Sequence, residues 1–279
     1  MTGKNLLILG YGLLGAAFFR LYGSDYQIRG VRRSSRKEAD PLVVQMSIQD
    51  DALRVHVEWA DIVIFCPAPG RREVDAYRTT YLENMQFLLQ LMTASRMIRP
   101  IILVSSTGVY PRSSDQQWQE SDTVPMTSSF QAILLSTENA LIESLIPYAI
   151  LRAAGLYGEE RGYAHRVIAR GFVNQSDMSD QWVTSVHQDD LCGVIHQVIL
   201  QNKLGEIYNV VDRTDMTKKH LVEWMVNAFG LRIVSDGPPA LTGCNRRIGT
   251  DKLTKQLGYI FRYPTVTHFL KERYKECLG

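Results

Sequence analysis

Asn5-Leu6-Leu7-Ile8-Leu9-Gly10-Tyr11-Gly12-Leu13-Leu14-Gly15 carries the strongest architectural signal in the chain. Five strand-like, mostly apolar residues run into Gly-x-Gly-x-x-Gly, and a helical pattern follows at once. In this context each glycine has a predicted task. Gly10 permits the tight turn, Gly12 admits a pyrophosphate to the backbone, and Gly15 lets the helix pack on the sheet. The first amides of the helix, around Leu13 and Leu14, and the helix dipole favour a phosphate beside Tyr11 and Gly12. The motif predicts a dinucleotide site; a purely architectural strand-to-helix turn is the alternative.

The helix predicted from about Gly12 to Tyr22 is apolar almost all round, which predicts cover on more than one side. Tyr26 to Val31 reads as a second strand. An acidic residue near its end would accept hydrogen bonds from an adenosine ribose. The chain instead has Arg32-Arg33-Ser34-Ser35-Arg36, which suits a 2′-phosphate, so NADP is expected over NAD. A solvated basic loop is the plainer reading of the same residues. Leu42–Met46 and Asp61–Phe65 read as strands buried on both faces. Cys66, Pro67 and Ala68 end the latter where ligands lie in such sheets. Tyr81, Leu82, Met85, Leu88, Leu89 and Met92 recur at helical spacing and predict a core-facing helix. Ile101–Val104 is a fifth strand, leading into Ser105 and Ser106. The alternation predicts an α/β fold, a doubly wound parallel (Rossmann) sheet with a smaller C-terminal lobe. The expected division is 1–157 for the dinucleotide-binding core and 158–279 for the lobe, with 183–212 returning to the core.

Bulk properties narrow the function. The 279 residues carry a net charge of +2 with scattered basic residues, which argues against nucleic acid as a partner. Cys66, Cys192, Cys244 and Cys277 form no Cys-x-x-Cys pair, so neither a metal site nor a disulfide framework is expected. No apolar run reaches membrane-spanning length and the first strand begins at once, so a cytoplasmic protein is expected, with a small-molecule ligand and a homodimer as a candidate assembly.

At Ser105-Ser106-Thr107-Gly108-Val109-Tyr110-Pro111 the chain resembles the extended short-chain dehydrogenase/reductase superfamily, the NAD(P)-dependent epimerases and dehydratases. Leu151–Gly158, Val186–Leu191, Tyr208–Asp212 and the Lys252-Leu253…Leu257-Gly258 element resemble later family segments in order. The resemblance implies a hydroxyl after strand five, mapping onto Ser106, and a Tyr-x-x-x-Lys on the next helix. There the ammonium lowers the phenol's pKa for proton exchange as hydride moves. With Glu138 as anchor, the Tyr position falls on Phe130 and the Lys position on Leu134, and Met126–Leu145 contains neither Tyr nor Lys. The chain thus looks like atypical members that bind the cofactor without the usual pair.

Several side chains remain candidates. Ser106, Tyr110 and His187, the last beside Asp189 and Asp190, are the candidates for proton transfer. Ser105 is a candidate cofactor contact. Thr107, Phe130, Tyr157 and Arg246 are candidates for contacting substrate. Each has a structural alternative: a strand-end hydroxyl, a packed aromatic ring, a solvated loop.

Overall fold

A computed structural model describes residues 3–34, 42–111, 116–159, 161–237 and 246–277. The first half alternates strand and helix: β1 (Asn5–Leu9), α1 (Leu13–Tyr22), β2 (Gln27–Arg32), β3 (Val43–Gln45), α2 (Leu53–Trp59) and β4 (Ile62–Phe65). Next come α3 (Val74–Tyr77), a π-helical turn (Arg78–Glu83), α4 (Asn84–Ala94), β5 (Ile101–Ser106), the short β6 (Gln117–Trp118) and α5 (Ser129–Glu143). The remainder contains β7 (Tyr148–Ala153), β8 (Gly155–Tyr157), α6 (Tyr163–Arg170), β9 (Phe172–Asn174), β10 (Ser185–His187) and α7 (Gln188–Gln201). It ends with β11 (Glu206–Val210), α8 (Lys218–Phe229), β12 (Arg232–Val234), β13 (Arg247–Ile248), α9 (Asp251–Gln256) and α10 (Val266–Arg273).

Seven strands form one sheet in the order β11-β7-β5-β4-β1-β2-β3, and β1 to β5 pair in parallel. The order reverses direction between β1 and β4, the position where ligands bind in such sheets. Ile62–Phe65 is buried at every residue, as a strand covered on both faces must be. Two compact units each have a core. One comprises residues 1–109, 124–152 and 192–208, and packs Leu7, Leu9, Val63, Phe65, Leu88 and Leu103 together. The other comprises residues 110–123, 153–191 and 209–279, around Val173, Leu221, Met225, Val266 and Phe269. Against the expected core of 1–157 with 183–212 returning, residues 110–123 and 153–157 group with the second unit, and the returning segment is 192–208. No described helix is long and apolar enough to cross a membrane.

Two local expectations need correction. The helix α1 buries Leu14, Gly15, Ala17 and Phe18 but leaves Leu13 and Phe19 exposed, so its apolar surface is not covered all round. The helical register predicted from Tyr81 to Met92 is interrupted by the π-helical turn. An i to i+5 turn adds a residue and rotates what precedes it. Met85, Leu88, Leu89 and Met92 are buried, whereas Tyr81 and Leu82 are only half-buried.

Helix α5 begins as its sequence dictates. Ser128 caps it by accepting the amide of Gln131 at 3.3 Å, and the Gln131 carboxamide accepts the Thr127 amide at 2.7 Å. This is a variant of the reciprocal Ser-x-x-Gln cap. The other end of the Gln131 side chain donates to the carbonyl of Val109, tying the helix to the segment after β5.

Candidate functional site

A cavity in the first unit lies at the carboxyl ends of β1, β2 and β4. It is lined by Gly10, Tyr11, Gly12, Val31, Arg32, Arg33, Ser34, Met46, Ser47, Ile48, Gln49, Pro67, Ala68, Thr79, Thr80 and Asn84. Its floor is made by close backbone approach. Gly10 has φ +90°, and a side chain there would overlap the backbone of Pro67. The amides of Gly10 and Tyr11 both donate to the carbonyl of Val31 at 2.9 Å, which pins the glycine turn to β2. The ring of Tyr11 occupies the space that side chains at Gly15 and Gly30 would need. The task of Gly15 is therefore to seat this ring, which in turn shapes the cavity wall.

The start of α1 is open to a ligand. Gly12 precedes the helix without a side-chain cap, no acidic residue occupies the first turn, and a methyl group at Gly12 would meet only the carbonyl oxygen of Gly10, at 3.8 Å. Uncapped amides at a helix start, with the dipole behind them, attract an anion. The basic end is equally open. Arg32 donates from Nη2 to Ser34 Oγ at 3.0 Å, while its Nε is buried without a hydrogen-bond partner among the described residues. Such an orphaned donor calls for an explanation, and an absent anion supplies one. Ser35 and Arg36 lie outside the described residues.

Of the residues expected around a cofactor, Gly10, Tyr11, Gly12, Arg32, Arg33, Ser34, Pro67 and Ala68 converge on this cavity. Others stand behind it. Leu13 faces outward, Leu14 offers its carbonyl to the Cys192 thiol at 3.8 Å, and Gly15 backs onto Tyr11. Cys66 donates to the Gly10 carbonyl at 3.7 Å, and burial pushes its thiol up to about 12. It supports the turn as a neutral group. No motif marks Met46, Ser47, Ile48 and Gln49, nor Thr79, Thr80 and Asn84, as cavity residues. Gln49 donates to Asn84 at 3.0 Å, and Asn84 to the Thr80 carbonyl at 3.1 Å, so the loop after β3 and the π-helical turn leading into α4 close one wall. Their position after β3 and after the β4 break was the available signal.

Ser105 belongs to the interior. Its hydroxyl donates to Glu138 at 2.5 Å, and Glu138 receives Nη2 of Arg152 at 2.8 Å, with all three residues buried. Ser106, at the end of β5, is half-buried and accepts the Gly108 amide at 3.0 Å. Thr107 is buried in the 3₁₀ turn that follows. Phe130 is half-buried on α5, and α5 contains no Tyr or Lys.

In the second unit the candidates are enclosed. Tyr110 donates to Asn209 at 2.8 Å and stacks on Trp118, and the Arg246 guanidinium donates to the carbonyl of Tyr110. His187 is 2% exposed, among the rings of Tyr157, Tyr263 and Phe269, with Nδ1 accepting the Asp189 amide at 3.1 Å. The Asp190 carboxylate accepts the Arg262 and Tyr263 amides at 2.7 and 3.0 Å and the Tyr259 hydroxyl at 3.0 Å. It fastens the C-terminal segment. Tyr157 is buried near Asp212; burial raises the Asp212 carboxyl to about 6, against hydrogen bonds from Thr214 and Ser185. Tyr110, Tyr157 and His187 are thus all buried within this unit.

No family model matches the chain. "Protein YeeZ" of Escherichia coli (strain K12) is 26% identical over 276 residues, covering 94% of this chain and 97% of that protein. Among solved structures, UDP-glucose 4-epimerase from Thermotoga maritima with UDP-glucose superposes with TM-score 0.80 at 18% identity, covering 99% and 100% of the two chains. The dTDP-glucose 4,6-dehydratase from Bacillus anthracis str. Ames in complex with NAD gives 0.79 at 17%, covering 98% and 96%. From end to end, this chain has the Rossmann-type fold of the NAD-dependent epimerases and dehydratases.

Proposed function

We propose that the first unit binds NADP(H) and that the protein is an atypical epimerase/dehydratase-like oxidoreductase acting on a small polar or nucleotide-sugar-like metabolite. The observation that carries this reading is the orphaned Nε of Arg32 in a cavity that also holds the uncapped start of α1. The residues fit the cofactor. Gly12 and the first amides of α1 would hold the diphosphate, Arg32, Arg33 and Ser34 would hold the 2′-phosphate, and Met46, Ile48 and Pro67 would flank the base. Neighbours of the same fold are described with NAD and with UDP-glucose, which supports the cofactor type and substrate class.

Bound there, the nicotinamide supplies hydride transfer. The chain's own residues bind and orient it, and Ser106 at the end of β5 offers a hydroxyl to the reacting oxygen. The lack of Tyr and Lys on α5 favours a second reading, a non-catalytic sensor or scaffold whose partner affinity follows cofactor state. Calorimetric titration with NADPH and NADH, followed by absorbance assays against nucleotide sugars and small carbonyls, separates the readings. NADPH is expected to bind at least tenfold more tightly than NADH, about 1.4 kcal/mol, with oxidation by one substrate class. Binding without any turnover would favour the sensor; binding of neither nucleotide would overturn both.

A further inference from the structure

The helix α5 offers no phenol, but one stands against it from another helix. Tyr77, the last residue of α3, meets the ring of Phe130 edge-on with centroids 4.8 Å apart. The Arg72 guanidinium lies 5.8 Å from the centroid of the same Phe130 ring. One turn along α5, Leu134 lies where a side chain on Gly108 would touch both it and Ser106. The π-helical turn that follows Tyr77 contributes Thr79 and Thr80 to the cofactor cavity. Such turns recur at functional sites. A phenol, a guanidinium and a serine hydroxyl are thus grouped around the face of α5 that carries Phe130 and Leu134.

We propose that Tyr77 is the proton donor and acceptor of the reaction, with Arg72 as the neighbouring cation. The assignment rests on the NADP(H) reading above. In reduction, the phenol O–H bond breaks and its proton passes to the substrate's carbonyl oxygen while the carbonyl carbon takes a hydride from NADPH. In oxidation both return, the alcohol proton to the Tyr77 phenolate and the hydride to NADP+. Arg72 and Tyr77 lie against the same Phe130 ring, and a bound cationic nicotinamide would favour the phenolate in the oxidising direction. Tyr81 is the less suitable phenol, because burial, Tyr77 and Cys66 all raise it and keep it protonated.

The test is an ultraviolet phenolate titration of the full-length protein with and without NADP+, run on wild type, Tyr77→Phe, Tyr81→Phe and Arg72→Gln. Calorimetry on the same samples reports nucleotide binding, and thermal melting reports folding. In wild type, NADP+ is expected to lower the midpoint of one tyrosine by about one pH unit or more. Tyr77→Phe should abolish the shift, Tyr81→Phe should retain it, and Arg72→Gln should reduce it. Bound NADP+ with no shift, or a shift that survives Tyr77→Phe, would overturn the assignment while leaving the cofactor reading in place. Absence of NADP+ binding would overturn the cofactor reading and the assignment with it.

Discussion

Replacing Arg152 by leucine is expected to destabilise the protein by about 3–5 kcal/mol, the cost of leaving a buried charge without its partner. The side chains of Arg152 and Glu138 are 6% and 2% exposed, and Nη2 approaches Oε2 at 2.8 Å. Nε of Arg152 also lies 3.2 and 3.3 Å from the two carboxylate oxygens, and the Ser105 hydroxyl bonds the same group. Among the described residues this set satisfies the carboxylate of Glu138, and deleting the guanidinium leaves that buried group without its cation. The double variant Glu138→Leu/Arg152→Leu removes both charges and should be more stable than the single Arg152→Leu variant, because no uncompensated ion remains. Urea denaturation of the two variants measures the difference. A single variant that loses less than about 1 kcal/mol, typical of an exposed pair, would show that the network is not buried in solution.

The second large effect concerns the basic end of the cavity. Substituting alanine for both Arg32 and Arg33 is expected to weaken NADP+ binding about a hundredfold or more, since each charge-assisted hydrogen bond lost contributes roughly 1.5–3 kcal/mol. Binding of NAD+, which lacks the 2′-phosphate, should change by no more than about threefold, under 1 kcal/mol. Arg32 has a free Nε for this task, and the Gln45 side chain holds the Arg33 carbonyl at 3.2 Å, which fixes the loop. Single variants apportion the loss, with Arg32→Ala expected to be the more damaging because its donor is already desolvated. Equal weakening of both nucleotides would show that these guanidiniums do not meet the 2′-phosphate.

The parts of the fold and site that were legible in the sequence are those set by local backbone chemistry. Gly10 was readable because a left-handed turn beside Pro67 excludes other residues, and Arg32 and Arg33 because they follow a strand at a fixed place in the motif. The buried β4 was readable from Ile-Val-Ile-Phe alone. What escaped depends on long-range packing. Ser105 reads as a cavity hydroxyl until Glu138 and Arg152, 33 and 47 residues downstream, claim it. His187 beside two aspartates reads as a titrating group until three aromatic rings enclose it and Asp190 turns to the backbone of Arg262 and Tyr263. The π-helical turn was invisible to a 3.6-residue period, and it is this turn that brings Thr79 and Thr80 to the cavity.

A nucleotide diphosphate resting on the amino end of α1, as proposed, would lie against Gly12. A methyl group at this position would meet only the Gly10 carbonyl oxygen at ordinary contact distance, so packing does not demand glycine there. Gly12→Ala should therefore fold with stability changed by a few tenths of a kcal/mol. The same methyl would occupy the space through which the diphosphate reaches the amides. Calorimetric titration of Gly12→Ala with NADP+ is the most direct measurement: binding at least tenfold weaker than wild type, about 1.4 kcal/mol, with an unchanged melting curve is the predicted result. A variant that binds NADP+ as tightly as the wild type would show that the diphosphate does not rest on the amino end of α1.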